Sequence, residues 1–209
     1  YRVDDIERQT QAVEGVERVE TWGYAAVRRE RPDGAESNDI VLVAPPADTQ
    51  LLQPDVLQGR WLVPEDESAI VVNTDLLREE PDLRIGQSLT LVLDGRSTQW
   101  TVVGIIRGVL SGSTAYANYP YYSRVARSVD RASSVQVVSR AHDAASVAQL
   151  SRALERQFES VGLRVNGTQT ITQQRAMVVS QFNVILVFLL RMAGVLAVVG
   201  ALGLAGTMS

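Results

Sequence analysis

Residues 87–108 read QSLTLVLDGRSTQWTVVGIIRG. Two apolar runs meet at Asp94-Gly95, a pair that tolerates the positive φ a tight turn requires, so the stretch reads as a β-hairpin. Working upstream, AIVVN (69–73) is a further strand. The segment DLLREE (75–80) is a brief helix that Thr74 is placed to cap and Pro81 to terminate. Before it, DIVLVAPP (39–46) is extended, RPDGAES (31–37) supplies Pro-Asp-Gly turn chemistry, and Val16 to Glu30 reads as one extended run. The opening residues, 1–15, are polar and read as a helical segment reaching Gly15.

Downstream of the hairpin, GSTAYANYPYYSRVARSV (112–129) is a loop, a strand and a short helix. SSVQVVSR (133–140) alternates as a strand, and Asp143 stands where a helix N-cap belongs. Val147, Leu150, Leu154, Phe158 and Val161 then recur at spacings that share one helical face. Gly162 stops that helix and LRVNG (163–167) reads as a returning strand, which makes a βαβ unit. The fold class is α+β: a mixed-sheet domain with βαβ units and a small strand-rich subdomain, spanning 16–169.

The carboxy-terminal stretch is of another kind. From Val184 to Met208 the 25 residues carry one charge, Arg191. A helix of that length is about 37 Å long, and about 20 apolar residues cross the hydrocarbon core of a bilayer. Its 13 Val, Leu, Ile and Phe residues contribute roughly −4 to −8 kcal/mol on insertion scales, against about +2.5 to +3.5 for a central arginine. Arg191 lies near one end, within reach of the interface through its long stem. The segment 184–208 therefore reads as a transmembrane helix, and 170–183 as a helix connecting it to the domain. Ala193, Ala197, Ala201 and Ala205 recur every fourth position, a spacing that lets a second membrane helix approach closely.

Composition narrows the function. A net charge of −4 argues against nucleic acid, which a basic face normally meets. There is no cysteine, which removes disulfides and thiolate metal ligands. All 20 basic residues are arginine, so there is no lysine for a Schiff base or a Walker phosphate site. ATP chemistry, if it drives anything here, belongs to another chain or another region.

Several residues were weighed for chemistry. His142 is the single histidine, and any Ser-His-Asp catalysis would have to use it; its place in a strand-to-helix loop beside a capping aspartate reads as an exposed loop residue. Glu65-Asp66-Glu67 lacks the alternating oxygens and glycine of a calcium loop and reads as a solvated turn. The stretch GVLSGSTAY (108–116) opens no long helix, which argues against a phosphate cradle. Asn166 heads an NGT sequon that matters only in a eukaryotic secretory route. Tyr116, Tyr119, Tyr121 and Tyr122 form a cluster suited either to an interface or to covering the end of a sheet, the latter being the simpler account. No catalytic, cofactor-binding or metal-ligating set emerges, and no enzyme activity is expected.

One ordered set of elements carries a resemblance. Gly59-Arg60-Trp61-Leu62, the strand AIVVN, a short helix, Ile85-Gly86-Gln87-Ser88-Leu89 and Val102-Val103-Gly104-Ile105 stand ahead of a small-residue-rich membrane helix. Together they resemble the extracytoplasmic domain of FtsX/MacB-type ABC transporter permeases. Gln87 departs from the aspartate usual there in that family. The resemblance implies a permease with four membrane helices, this domain lying between the first and second. Tyr1 would follow a first transmembrane helix, residues 1–183 would lie outside the bacterial inner membrane, and 184–208 would be most of the second helix. It implies a separate ABC ATPase subunit, a second permease copy or paralogue, and the lipid bilayer as partners. It further implies that ATP-driven motion is relayed to the outer domain. Two other readings stand beside it: a single-span anchored binding or sensor domain, and a membrane-tethered hydrolase using His142 or a carboxylate pair.

Overall fold

A computed structural model describes residues 3–108, 112–128 and 134–162. Its elements, in chain order, are α1 (Val3–Gln11), β1 (Val16–Glu30), β2 (Ile40–Ala44), β3 (Val56–Gly59), β4 (Ala69–Asn73) and α2 (Thr74–Glu79). There follow β5 (Ser88–Leu93), β6 (Arg96–Ile106), β7 (Thr114–Ala117), α3 (Tyr119–Val125), β8 (Ser134–Ser139) and α4 (Ala144–Ser160). The fold is the α+β, mixed-sheet class expected. The returning strand expected at 163–167, the connecting helix and the transmembrane helix all lie outside the described residues. Among the described residues no helix is long and apolar enough to cross a membrane.

β1 organises the rest. Its first half, Val16–Trp22, pairs antiparallel with β8. Its second half pairs on one edge with β2, through Gly23↔Ala44 to Val27↔Ile40. Arg29 and Ser37 continue that ladder past β2, the Ser37 amide donating to the Arg29 carbonyl at 2.9 Å. Residues Arg28–Glu30 meanwhile pair with Thr90–Val92 of β5. From β2 the pairing runs through β7, β4, β6 and β5 back to β1. Six strands thus close into a ring, which leaves no free edge where they meet.

Period-two alternation fills that ring. Leu89, Leu91 and Leu93 of β5 point inward, as do Ile70 and Val72 of β4 and Trp100 and Val102 of β6. Leu89 lies directly opposite Trp100. The Trp100 indole is 1% exposed, donates to Thr98 Oγ1 at 2.8 Å, and receives the Tyr121 ring edge-on at 5.1 Å. β4 is buried along its whole length because its outer face is covered too: Val71, Ala69 and Ile106 pack under Leu62, with Trp61 and Tyr116 beside them. A second layer sits on the other half of β1, where Val16 packs with Leu150 and Leu154 of α4 and with Val13, Val19, Val137 and Phe158.

Local chemistry explains the turns. The hairpin closes at Asp94 (φ 49°) and Gly95 (φ 74°), both in the left-handed region, as a two-residue turn requires. The cap of α2 is Asn73 rather than Thr74: the Asn73 Oδ1 accepts the Leu76 amide at 2.9 Å, and Thr74 is already helical. Asn73 won because its amide also holds the loop ahead of β7, accepting from Thr114 N at 3.1 Å and donating to the Gly112 carbonyl at 2.7 Å. Thr74 instead accepts from the Gly108 amide at 2.9 Å. α1 ends at Gln11, earlier than the polar pattern suggested, and turns carry the chain to Gly15 (φ 95°). β3 was not foreseen; it pairs with β6 through Gly59↔Gly104. There the two backbones touch, for a Cβ on Gly104 would stand 2.0 Å from the Arg60 carbonyl oxygen.

Gly104→Ala should therefore lower stability by about 3 kcal/mol, at the upper end of overpacking costs. Gly34→Ala, at φ 82° in open space, should cost only about 1–2 kcal/mol of backbone strain. Urea denaturation of both variants checks the difference; equal losses would show that the crossing at Gly104 can relax.

Candidate functional site

A buried ion cluster locks the ring where it closes. The Arg29 side chain is 3% exposed and Glu80, the residue that follows α2, 2%. Arg29 Nη1 donates to Glu80 Oε2 at 2.6 Å, and its two terminal nitrogens grip Asp82 at 2.6 and 2.5 Å. Arg31 binds Glu80 from the far side. Hydrogen bonds from Arg31 and Arg29 hold the Glu80 carboxyl below the usual carboxylate range, and those from Arg29 do the same for Asp82. The sequence signal was available: Val27 faces inward, so period two places Arg29 inward as well.

Asp143, Asp66 and Glu67 each serve a structural role. His142 is exposed on the loop ahead of α4. It edges an open groove of roughly 580 Å³ whose other walls include Arg18, Leu51, Leu52 and Val138. Asp143 caps α4 as expected, its Oδ1 accepting the Ser146 amide at 2.9 Å, and those bonds lower its pKa. Asp66 is gripped by Arg60 through two bonds of 2.6 Å and accepts the Val63 amide at 2.9 Å, while Glu67 pairs with Arg124. That turn is closed on itself by arginine. Among the described residues no group of three or more His, Cys, Asp or Glu side chains could hold a metal ion.

The tyrosines cover the ring. Tyr122 is buried, its ring against the Gly23 backbone where a Cβ would stand 2.2 Å away. Its hydroxyl donates to the Tyr24 carbonyl at 3.1 Å. Tyr116 packs on Trp61 at 5.5 Å, and Tyr119 and Tyr121 lie against the core. Gln87, the departure from the usual aspartate, performs a turn function: its Oε1 accepts the Arg84 amide at 3.1 Å, beside Gly86 at φ 81°.

What the geometry does assemble is a mechanical junction. α1 and α4 lie against each other, with Gln157 Nε2 donating to Gln9 Oε1 at 2.8 Å. Both rest on the half of β1 that pairs with β8. The same strand runs on without interruption into the ring, a reach of roughly 50 Å at about 3.3 Å per residue. The loop between β2 and β3 braces the junction: Thr49 bonds Glu20, and Arg18 Nη1 donates to Gln50 Oε1 at 2.7 Å.

The domain thus sets a layer of helices on one half of a long strand and a closed ring on the other. The chain matches the MacB-like periplasmic core domain over residues 1–157 and belongs to that family. Its fold is similar to the extracellular domain of the noncanonic ABC-type transporter YknZ from Gram-positive bacteria, with a TM-score of 0.55 at 16% identity, covering 78% of this chain and 86% of that one. It is also similar to the periplasmic region of MacB from Actinobacillus actinomycetemcomitans, with a TM-score of 0.50 at 14% identity, covering 73% and 72% respectively. No curated protein matches the chain. The FtsX/MacB-type resemblance carried by Gly59-Arg60, Ile85-Gly86 and Val102–Ile105 is thereby confirmed at the level of family and fold, and Gly59 and Gly104 turn out to mark the backbone crossing.

Replacing Arg29 by Met should destabilise the domain by about 3 kcal/mol at pH 7, because a buried carboxylate loses a partner. Glu80 and Asp82 have folded pKa values below their unfolded ones, so their contribution is fully present above the unfolded values, about pH 4–4.5, and is lost as pH falls below these through the folded values. Chemical denaturation at pH 7 and at pH 3 should show the gap between wild type and Arg29→Met narrowing with acid. An unchanged gap would show that Arg29 acts through packing alone.

Proposed function

We propose that this chain is the extracytoplasmic domain, with most of the second membrane helix, of an ABC transporter permease, and that it relays ATP-driven motion outward. The observation that carries this reading is the joining of α1 and α4 on one strand. α1 and α4, the first and last described elements, share a layer, and β1 couples that layer to the ring with no linker between them. A displacement of the two ends would then tilt the whole body, a rigid-body switch of the hinge-and-lever kind.

Within this proposal residues 1–183 lie outside the membrane and 184–208 lie in it. The cluster Ala193, Ala197, Ala201 and Ala205 packs against neighbouring membrane helices. ATP is hydrolysed by a separate ATPase subunit, and a second permease copy or paralogue completes the assembly. The domain itself then needs no catalytic group; its work is to bind or push on something outside the membrane. The structural roles of the acidic turn and the tyrosines, and the exposed position of His142 apart from them, support a relay over a tethered hydrolase.

A Gly-Ser spacer inserted near Gln173 should uncouple the two activities. ATPase turnover of the reconstituted assembly is expected to persist while export or activation falls at least tenfold, a loss of about 1.4 kcal/mol in coupling. Transport that continues at the wild-type rate would contradict the relay.

A further inference from the structure

We propose that the groove between the β2–β3 loop and the β1–β8 pair is a binding site for an α-amino acid bearing an aliphatic side chain. An irregularity in β1 makes it. The pairing runs Val16↔Ser139 and then Arg18↔Val138, so β1 advances two residues where β8 advances one. Val16 and Val19 both pack into the cluster built on Leu150 and Leu154 of α4. In an unbroken strand, residues three apart face opposite sides of the sheet. The extra residue absorbs that mismatch and leaves Glu17 and Arg18 together on the face away from α4. Both line the groove of roughly 580 Å³. Bulges re-aim side chains in this way beside functional sites.

The two charges so displayed are not consumed within the fold. Arg18 donates through Nη1 to the neutral Gln50 Oε1 at 2.7 Å and forms no ion pair among the described residues. Its Nε and Nη2 remain, the side-on fork that grips a carboxylate through two parallel bonds. Glu17 has no hydrogen-bond or ion-pair partner among the described residues. Glu20, the other acid on that face of β1, is occupied by Thr49 and by the Trp22 indole. A base and an acid thus stand side by side at one groove, each with its charge open to a ligand.

Spacing and apolar lining select that ligand. Neighbouring Cα atoms are about 3.8 Å apart, and a carboxylate and an ammonium carried on one carbon match so close a pair. The two ends of a peptide separate by up to about 3.3–3.6 Å for every added residue. Leu51, Leu52 and Val138, all half-buried, give the groove its apolar surface, which takes an aliphatic side chain while the two charges fix its orientation. The inference goes beyond the relay and does not rest on it.

His142, the single histidine, edges the groove, so its ring-proton resonance reports on the site without background. The whole chain in detergent is titrated with L-leucine, with binding followed by equilibrium dialysis of labelled leucine and by the His142 resonance. Saturable retention is expected in the millimolar range, with the resonance moving along the same curve. Leucinamide, which lacks the carboxylate, and 4-methylpentanoate, which lacks the ammonium, should each bind at least about fivefold more weakly, and trileucine no more tightly than leucine. Arg18→Met should abolish the advantage of leucine over leucinamide. Glu17→Gln should leave leucine and 4-methylpentanoate equal, a selective change that a misfolded variant would not give. No retention of leucine would overturn the site, as would retention that leaves His142 unmoved or that is insensitive to both substitutions. Tighter binding of trileucine would overturn the ligand class. None of these readings depends on transport, so the relay stands or falls separately.

Discussion

The structure depends on a division of labour within β1. Fifteen residues in one extended run serve two layers, pairing with β8 over one half and closing a six-stranded ring over the other. The change of partner falls between Trp22 and Gly23. Glycine is required there because the buried Tyr122 ring rests on the backbone, with its hydroxyl on the next carbonyl. At the far end of the strand the Arg29 guanidinium is buried among carboxylates instead of an apolar side chain. Burying charge is costly unless it is paired; here Glu80 and Asp82, from the segment that follows α2, take both terminal nitrogens, while the buried Arg29 Nε has no hydrogen-bond partner. The cluster thus fixes where the ring closes, and with it the register of β1 against β5.

Close backbone contact is the second recurring device. At Gly59 and Gly104 β3 passes so near β6 that neither residue can carry a side chain. That contact brings the segment after β3 over the outside of the ring, where Leu62 and Trp61 cover β4. β4 is consequently buried on both faces and reads as a continuous apolar run, AIVVN, rather than an alternating one. The ordered spacing that carries the resemblance is, in physical terms, one crossing and the strand it covers.

Much of the fold was legible because it rests on local signals. Asp94-Gly95 gave the hairpin, Val16–Glu30 the long strand, and Leu150 and Leu154 the buried face of α4. What escaped was decided by distant partners. β3 is a four-residue exposed strand with no alternation to reveal it, and it exists because β6 offers an edge. Asn73 displaced Thr74 as the cap of α2 because a loop some forty residues on needed its amide. The ring itself could not be read, since it requires Thr90–Val92 to meet Arg28–Glu30 across sixty residues. For the site, sequence reasoning assembled no catalytic constellation, and the junction of α1 with α4 was invisible until Gln9 and Gln157 were seen side by side.

The proposed relay requires the two layers to keep a fixed separation while the assembly cycles. Spin labels on cysteines replacing Arg156, exposed on α4, and Arg96, exposed at the tip of the ring's hairpin, measure that separation directly by pulsed electron resonance. One narrow distance, the same with and without ATP bound to the assembly, is the result expected if β1 carries motion as a rigid strut. A broad distribution, or a second distance appearing with nucleotide, would mean that the layers flex against each other and that the strand is a hinge.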